Sequence, residues 1–316
     1  MRVGRFTLFF VLLLAGWAGS PRAEAAPPEA APSEPARAVE RVVSLSPAAT
    51  EILFSLSVGG RLVGVTRFCD YPPEAEKIPR VADMLDISLE TLLDLAPDLV
   101  VLIDLNAPLR ERIERLGIRT FVLRQETLDE LCGSIEALGE VCSVPERGRA
   151  LADSIRGALA EAGRLTAGLP RPRVAAAVDR DITDSVIRSL YIAGRDSFYD
   201  EMIRLAGGRN AFETGGVTYP KLSAEGLIAL DPDVIIDLVG DHRLGEGVTR
   251  EDLEAQWRSV PELKALREGR IHLLTGNYAL RPGPRVVRAL FEFMGIIHPE
   301  LLPEIRARLE ELRGTP

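Results

Sequence analysis

The residues best equipped for chemistry fall in a few short, irregular stretches. One is Arg67-Phe68-Cys69-Asp70-Tyr71. Others are Met84-Leu85, Asp104 to Ala107, Asp179 to Tyr191, Thr218-Tyr219-Pro220 and Asn277-Tyr278-Ala279-Leu280-Arg281. Aromatic rings offer flat apolar faces, and a guanidinium forks onto carboxylate or amide oxygens. The set therefore suits a large, flat, partly apolar ligand with polar edges. Catalysis is a poorer match: there is no G-x-S-x-G elbow, no Walker A loop, no G-x-G-x-x-G after the first strand and no H-E-x-x-H. Cys69 as a nucleophile needs a base, and the chain holds only His242, His272 and His298, none assignable as its partner. An exported enzyme using Cys69 is thus a remote alternative. Three widely spaced histidines do not make a site for a bare transition metal. No catalysis and no resident cofactor or metal are expected.

Two carboxylates stand out by position. Ser88-Leu89-Glu90-Thr91-Leu92-Leu93-Asp94-Leu95-Ala96-Pro97-Asp98-Leu99-Val100-Val101 aligns without gaps on Ser223-Ala224-Glu225-Gly226-Leu227-Ile228-Ala229-Leu230-Asp231-Pro232-Asp233-Val234-Ile235-Ile236. Glu90 and Glu225 occupy equivalent places, each two residues after a serine suited to cap a helix. The helix dipole favours an acid there by about 0.3–1 kcal/mol, a purely structural reason for its presence. One carboxylate per repeat also fits symmetric docking onto a two-fold or pseudo-two-fold partner. A further similarity, Gly59-Gly60-Arg61 against Gly207-Gly208-Arg209, makes the repeat an internal duplication.

The elements that must position these residues alternate strand and helix. Short β-branched runs at Arg41 to Leu45, Leu62 to Thr66, Leu99 to Ile103 and Thr120 to Leu123 predict strands. Helical patterns run from Pro47 to Leu56, Leu89 to Leu95, Leu109 to Leu116 and Leu128 to Val141. That alternation predicts a parallel sheet covered on both faces. Ser46-Pro47 reads as an N-cap with proline at the first helical position, and Ser143-Val144-Pro145-Glu146 as a capping box. The latter opens a long amphipathic pattern through Leu165, then a second α/β series begins with strand Val174 to Val178. The expected architecture is α/β, two similar parallel-sheet lobes joined by one long rigid helix, with the ligand cleft between them. Its divisions are 1–25 signal peptide, 26–39 flexible leader, 40–143 first lobe, 144–170 connecting helix and 171–316 second lobe.

Arg2 and Arg5 precede an apolar run, Phe6 to Trp17, too short to span a bilayer comfortably, and Ala23-Glu24-Ala25 offers a cleavage site. No cysteine follows to accept a lipid, so a soluble exported protein is expected rather than a lipoprotein. Cleavage after Ala25 removes three arginines and one glutamate and moves the formal charge from −9 to −11, which argues against nucleic acid as a partner. Cys132 and Cys142 lie on or next to one helix, about 15 Å apart, too far for a disulfide without a break in it. Free thiols are expected for them and for Cys69.

From Arg41 to about Glu300 the chain resembles the cobalamin-type periplasmic binding proteins of ABC importers, within the wider group that binds iron-siderophores and heme. The resemblance is carried by Arg41-Val42-Val43-Ser44-Leu45-Ser46-Pro47-Ala48-Ala49-Thr50-Glu51, by Val63-Gly64-Val65-Thr66-Arg67-Phe68-Cys69-Asp70-Tyr71-Pro72-Pro73, by the first repeat, and by Arg281-Pro282-Gly283-Pro284-Arg285. It implies a monomer in the periplasm that captures cobalamin or a related corrinoid and hands it to a permease with its ATPase. An iron-siderophore or heme ligand is the alternative. It also implies cleft binding with little hinge motion, and docking through Glu90 and Glu225. Phe68, Tyr219 and Tyr278 fall where the family places aromatic residues, and Arg281 falls on its arginine; Cys69, Asp70, Tyr71 and Met84 complete the expected ligand set. Met84 and Ile103 stand where a characterised type of cobalamin binder carries tryptophans, and Asn277 where it carries aspartate.

Overall fold

The first strand of the described residues is β1 (Val42–Ser44), every residue of which is buried, and it leads into α1 (Pro47–Ser55). The computed structural model describes residues 38–82, 87–182, 184–241 and 248–314. The expected signal peptide, most of the leader, Met84 and His242 lie outside the described residues. β2 (Leu62–Thr66), β3 (Arg80–Ala82), β4 (Leu99–Ile103) and β5 (Arg119–Leu123) join β1 in a sheet of order β3-β2-β1-β4-β5. All its pairings are parallel. The intervening helices are α2 (Leu89–Leu95), α3 (Ala107–Glu114) and α4 (Leu128–Val141).

The connector α5 (Pro145–Leu165) has 21 residues and so spans about 30 Å. The capping box does not form at its start. Ser143 lies in the left-handed region at φ 60°. Its N–H reaches the Glu140 carbonyl and that of Val144 the Gly139 carbonyl. These two bonds close α4, which commits Ser143 to ending one helix and leaves it unable to start the next. Gly139 and Gly148 face each other where α4 crosses α5; a Cβ on Gly139 would lie 2.9 Å from the Gly148 Cα. Ser46 likewise precedes α1 without a side-chain capping bond, and that helix is closed by Ser57, at φ 58°.

In the second lobe β6 (Arg173–Arg180), β10 (Val234–Val239) and β11 (Ile271–Thr275) are parallel. β7 (Ser189–Ile192) runs antiparallel to both β6 and β9 (Lys221–Ser223), and β8 (Arg209–Asn210) pairs with β6. The second sheet is therefore mixed, not wholly parallel. The polar stretch after β6 folds back instead of crossing over through a helix, and a direct return of that kind must be antiparallel. α6 (Phe198–Leu205), α7 (Ala224–Leu230), α8 (Arg250–Trp257), α9 (Lys264–Arg267), α10 (Val286–Ile297) and α11 (Leu302–Gly314) complete the described helices.

The sequence repeat is also a repeat of contacts. Ser88 and Ser223 each accept a hydrogen bond from the backbone N–H three residues on, and each helix ends in a left-handed residue, Ala96 at φ 42° and Asp231 at φ 44°. After the Pro-Asp turn, the Asp98 carboxylate accepts the N–H of Arg41, whose side chain donates to the Leu95 carbonyl. Asp233 and Arg173 repeat this, with the Leu230 carbonyl as acceptor. Each corner thus satisfies a helix's last carbonyls and pins the entry of a neighbouring strand, which fixes the helix-to-strand spacing in both lobes.

One apolar core runs through both lobes. It joins Val42, Ile52 and Leu131 of the first to Ile155 and Ala162 of α5 and to Met202, Ile236 and Phe291 of the second. A separate cluster fills the outer face of each sheet, around Trp257 in the second lobe and Leu92 in the first.

Candidate functional site

The carboxyl ends of β1, β2, β4 and β5 form one wall of a cleft, the expected place for a ligand on an open α/β sheet. A cavity of about 340 Å³ opens there. Leu45, Pro47, Phe68, Ile103 and Gln125 of the first lobe face Asn277, Leu280 and Arg281 of the second. Leu280 also borders a 190 Å³ cavity at the carboxyl ends of β6 and β10, which contains Arg180 and Asp237. The cleft is apolar with few polar groups, the usual balance of small-molecule sites.

The two lobes are latched across this cleft. Both Arg281 nitrogens Nη1 and Nη2 donate to the Asp70 carboxylate, the second at 3.1 Å, and Asn277 Nδ2 donates to the same group at 2.6 Å. Asn277 is itself fixed, because its Oδ1 accepts the Asp241 N–H and its own N–H donates to the Asp241 carboxylate, each at 3.0 Å. Deeper in, Glu51 takes a two-pronged bond from Arg285 at 2.9 and 2.6 Å. On the other flank, Glu201 accepts the Leu128 N–H at 3.0 Å.

The two latch carboxylates are shifted in opposite directions. Burial pushes the Glu51 carboxyl up and outweighs the bonds and charges of Arg285 and Arg281. Burial acts the same way on Asp70, but the bond and charge of Arg281 together with the Asn277 amide hold it below its ordinary 3.8. A depressed carboxylate stabilises the fold fully above its unfolded-state pKa and loses that contribution as pH falls through the folded value. A raised one has the opposite sign and favours the folded state on acidification. The stability gap between the native protein and Asp70→Asn is therefore expected to be constant above about pH 5 and to close below about pH 4. Urea midpoints of both proteins across that range measure it, and a gap that persists in acid would contradict the pairing.

The expected ligand residues divide by orientation. Phe68 and Arg281 line the cleft, and the Phe68 ring also lies 4.7 Å from the Arg67 guanidinium. Tyr219 is 41% exposed and stands edge-on to Tyr199 at 6.4 Å. Partial burial, then the charge of Glu126 from the first lobe, raise its phenol pKa. Cys69 does not reach the cleft: it is 1% exposed, in the first-lobe core beside the Thr50 and Thr66 hydroxyls. Tyr278 is buried too, its hydroxyl donating to Glu292 and its ring packed 4.0 Å from Arg288. The reason is local, because Asn277–Leu280 is a 3-10 turn in which residues three apart share a face. Asn277 and Leu280 meet the cleft, so Tyr278 and Ala279 turn inward.

Tyr71 lies under the Arg285 guanidinium at 3.7 Å and borders a different, larger cavity of about 560 Å³ between α1, α5, α10 and α11. That space is lined mainly by helices, whereas the smaller cavity is lined by the segments that follow β1, β2, β4, β5 and β11, so the smaller one is the better candidate for ligand capture. The cysteines are free and buried. Among the described residues no cluster of histidine, cysteine or acid could hold a metal ion.

Sequence reasoning gave no role to Glu51, Arg180 or Asp237. The signal existed for two of them. Glu51 interrupts a run of buried residues from Pro47 to Leu53, and Asp237 interrupts the fully buried strand Val234–Val239. A charge in such a place demands a partner.

Glu90 and Glu225 are exposed in the first turns of α2 and α7. α2 precedes β4 and packs back along the sheet, and α7 follows β9, which runs parallel to β6 two strands away. Both helices therefore begin at the carboxyl edge of their sheets, the edge that bounds the cleft. A bond to its own backbone N–H, then one from the Ser223 hydroxyl, hold the Glu225 carboxyl below its usual range and keep it ionised.

Comparison with known proteins agrees with this architecture. The chain is 31% identical over 254 residues to a vitamin B12-binding protein of Vibrio cholerae serotype O1, spanning 79% of this chain and 86% of that protein. The corresponding protein of Vibrio parahaemolyticus is 29% identical over 256 residues, 80% and 88% of the two chains. Among solved structures, the periplasmic vitamin B12-binding protein BtuF of Vibrio cholerae superposes with a TM-score of 0.67 at 27% identity, over 88% of this chain and 99% of that one. The periplasmic heme-binding protein RhuT of Roseiflexus sp. RS-1 superposes with a TM-score of 0.70 at 29% identity, over 83% and 98%. With residues 42–278 also matching the sequence family described as periplasmic binding protein, the chain belongs to that family.

Proposed function

We propose that this protein captures a corrinoid of the vitamin B12 class in its interlobe cleft, does no chemistry on it, and delivers it in the periplasm to an ABC-type permease and its separate ATPase. The likeness to the Vibrio cholerae vitamin B12-binding protein, which runs over 254 residues, carries this reading. The cleft supports it: an apolar wall from Leu45, Phe68, Ile103 and Leu280, with Gln125, Asn277 and Arg281 as polar points, fits a macrocycle whose rim carries amides. A volume of 340 Å³ lies at the low end of ligand pockets, about 300–1,000 Å³, so a chelate of that size class fills the cleft and stands out of its mouth.

In this reading Phe68, Tyr219, Asp70 and Arg281 meet the ligand, while Cys69, Tyr71 and Tyr278 support the walls. Residues 1–25 are the export signal, cleaved after Ala25. Residues 40–143 and 171–316 are the lobes, with 144–170 as connector. Glu90 and Glu225 dock one to each half of the permease.

Isothermal titration with cyanocobalamin is expected to be saturable at about one ligand per chain, with a Kd of about 1 μM or tighter. The heme-binding relative of similar structure favours a second ligand class. Tyr71, Tyr191 and Tyr219 are the candidate iron ligands, and Tyr219 is the first to test, since Tyr71 packs under Arg285 at the larger cavity and Tyr191 against Lys221. If no corrinoid binds while hemin gives a saturable Soret shift that Tyr219→Phe abolishes, the corrinoid reading is wrong and heme replaces it.

A further inference from the structure

We infer that Asp70 is a charge filter at the cleft: it occupies the fork of Arg281 so that ligands bearing neutral amides are accepted and those bearing carboxylates are turned away. This rests on the proposal that the cleft takes an amide-rimmed chelate. A guanidinium in an apolar pocket would ordinarily attract carboxylates, which match its fork bidentately. Here that fork is filled. Both terminal nitrogens of Arg281 are on the Asp70 carboxylate, and Glu51 Oε1 lies 3.9 Å from Nη1. The other arginine of the same segment, Arg285, is claimed by Glu51.

The surroundings reinforce the effect. Asp70 and Glu51 are ranged around Arg281 and Arg285, and a third carboxylate, Asp241, is bonded to Asn277 beside them. An incoming carboxylate must displace Asp70 into a field of like charge or sit beside it. An amide carbonyl can share the guanidinium edge without that repulsion, and an amide N–H₂ can donate to Asp70 itself.

Asn277 is part of the device. Its Oδ1 is held by the Asp241 N–H, which leaves its N–H₂ aimed at Asp70. An aspartate at 277 would oppose Asp70 with a like charge; asparagine instead holds Asp70 on Arg281. Asp70 keeps 42% side-chain exposure, so it can be replaced without emptying the core.

The test compares matched probes that differ only by carboxylate for amide: cyanocobalamin against its peripheral monocarboxylic acids, by calorimetric Kd on the native protein, Asp70→Asn and Asp70→Glu. The native protein is expected to prefer the amide form over at least one monoacid by about tenfold or more. In Asp70→Asn that ratio falls toward unity or reverses, while Asp70→Glu, which keeps the charge, retains it. An unchanged ratio in Asp70→Asn would overturn the filter. If the native protein binds no corrinoid, the corrinoid reading fails by itself. The same comparison then uses iron protoporphyrin against its dimethyl ester: a preference for the ester that Asp70→Asn removes upholds the filter, and equal ratios sink it.

Discussion

Replacing Asp237 with alanine is expected to destabilise the protein by about 3–5 kcal/mol, more than any other single side chain discussed. Asp237 and Arg180 are each 2% exposed and paired at 2.7 Å, and the Trp257 indole N–H donates to the same carboxylate at 2.9 Å. Asp237 shares its sheet face with Ile235 and Val239, in the cluster around Trp257. Removing the carboxylate deletes the ion pair with Arg180 and the acceptor of the Trp257 indole, and the desolvation these groups underwent on burial then falls on the folded state alone. The urea midpoint should drop with little change in slope. Replacing both partners together, Arg180→Met with Asp237→Leu, should recover most of the loss, because the apolar pair carries no desolvation cost. If the single change proves as mild as the double one, the pair does not carry the desolvation cost assigned to it.

The largest functional effect is expected from Glu90→Ala combined with Glu225→Ala. Both carboxylates are exposed at the cleft edge, one per repeat, and are proposed to meet basic groups on the two halves of a permease. The double variant should lower stimulation of the transporter ATPase about tenfold or more at low salt, and the single variants should lie between. Because such charges act through solvent, the native stimulation should itself fall with salt over the range in which the Debye length shrinks below about 10 Å. Ligand Kd should be unchanged. An affinity loss would place these residues in ligand binding, and a fall in stability with full stimulation would reduce them to helix-terminus acids.

Much of the scaffold was legible because it is written in local patterns. The spans Leu62–Thr66, Leu89–Leu95, Leu99–Ile103 and Leu128–Val141 follow directly from β-branched runs and helical periodicity. The repeat predicted two equivalent helices, and both their caps and their left-handed ends coincide. The site was less legible, because its polar pairs join residues far apart in the chain: Asp70 to Arg281, and Glu51 to Arg285. No periodicity links such positions. Orientation within turns was the other gap, since which of Asn277 and Tyr278 faces the cleft depends on the phase of a single 3-10 turn. Ser143 erred for a third reason: two helices competed for it, and the end of one won.

The core that threads both lobes through α5 bears on how a transporter would read this protein. Swinging the lobes widely apart means exposing Ile155, Ala162 and Phe291 to water, at about 25 cal/mol for every Å² of apolar surface uncovered. On the docking proposed for them, Glu90 and Glu225 would then be the two marks of a ruler that resists stretching. A partner gauging that span learns that the protein has arrived, not whether it carries cargo; that news must come from the mouth of the cleft, where the ligand's own surface meets the permease.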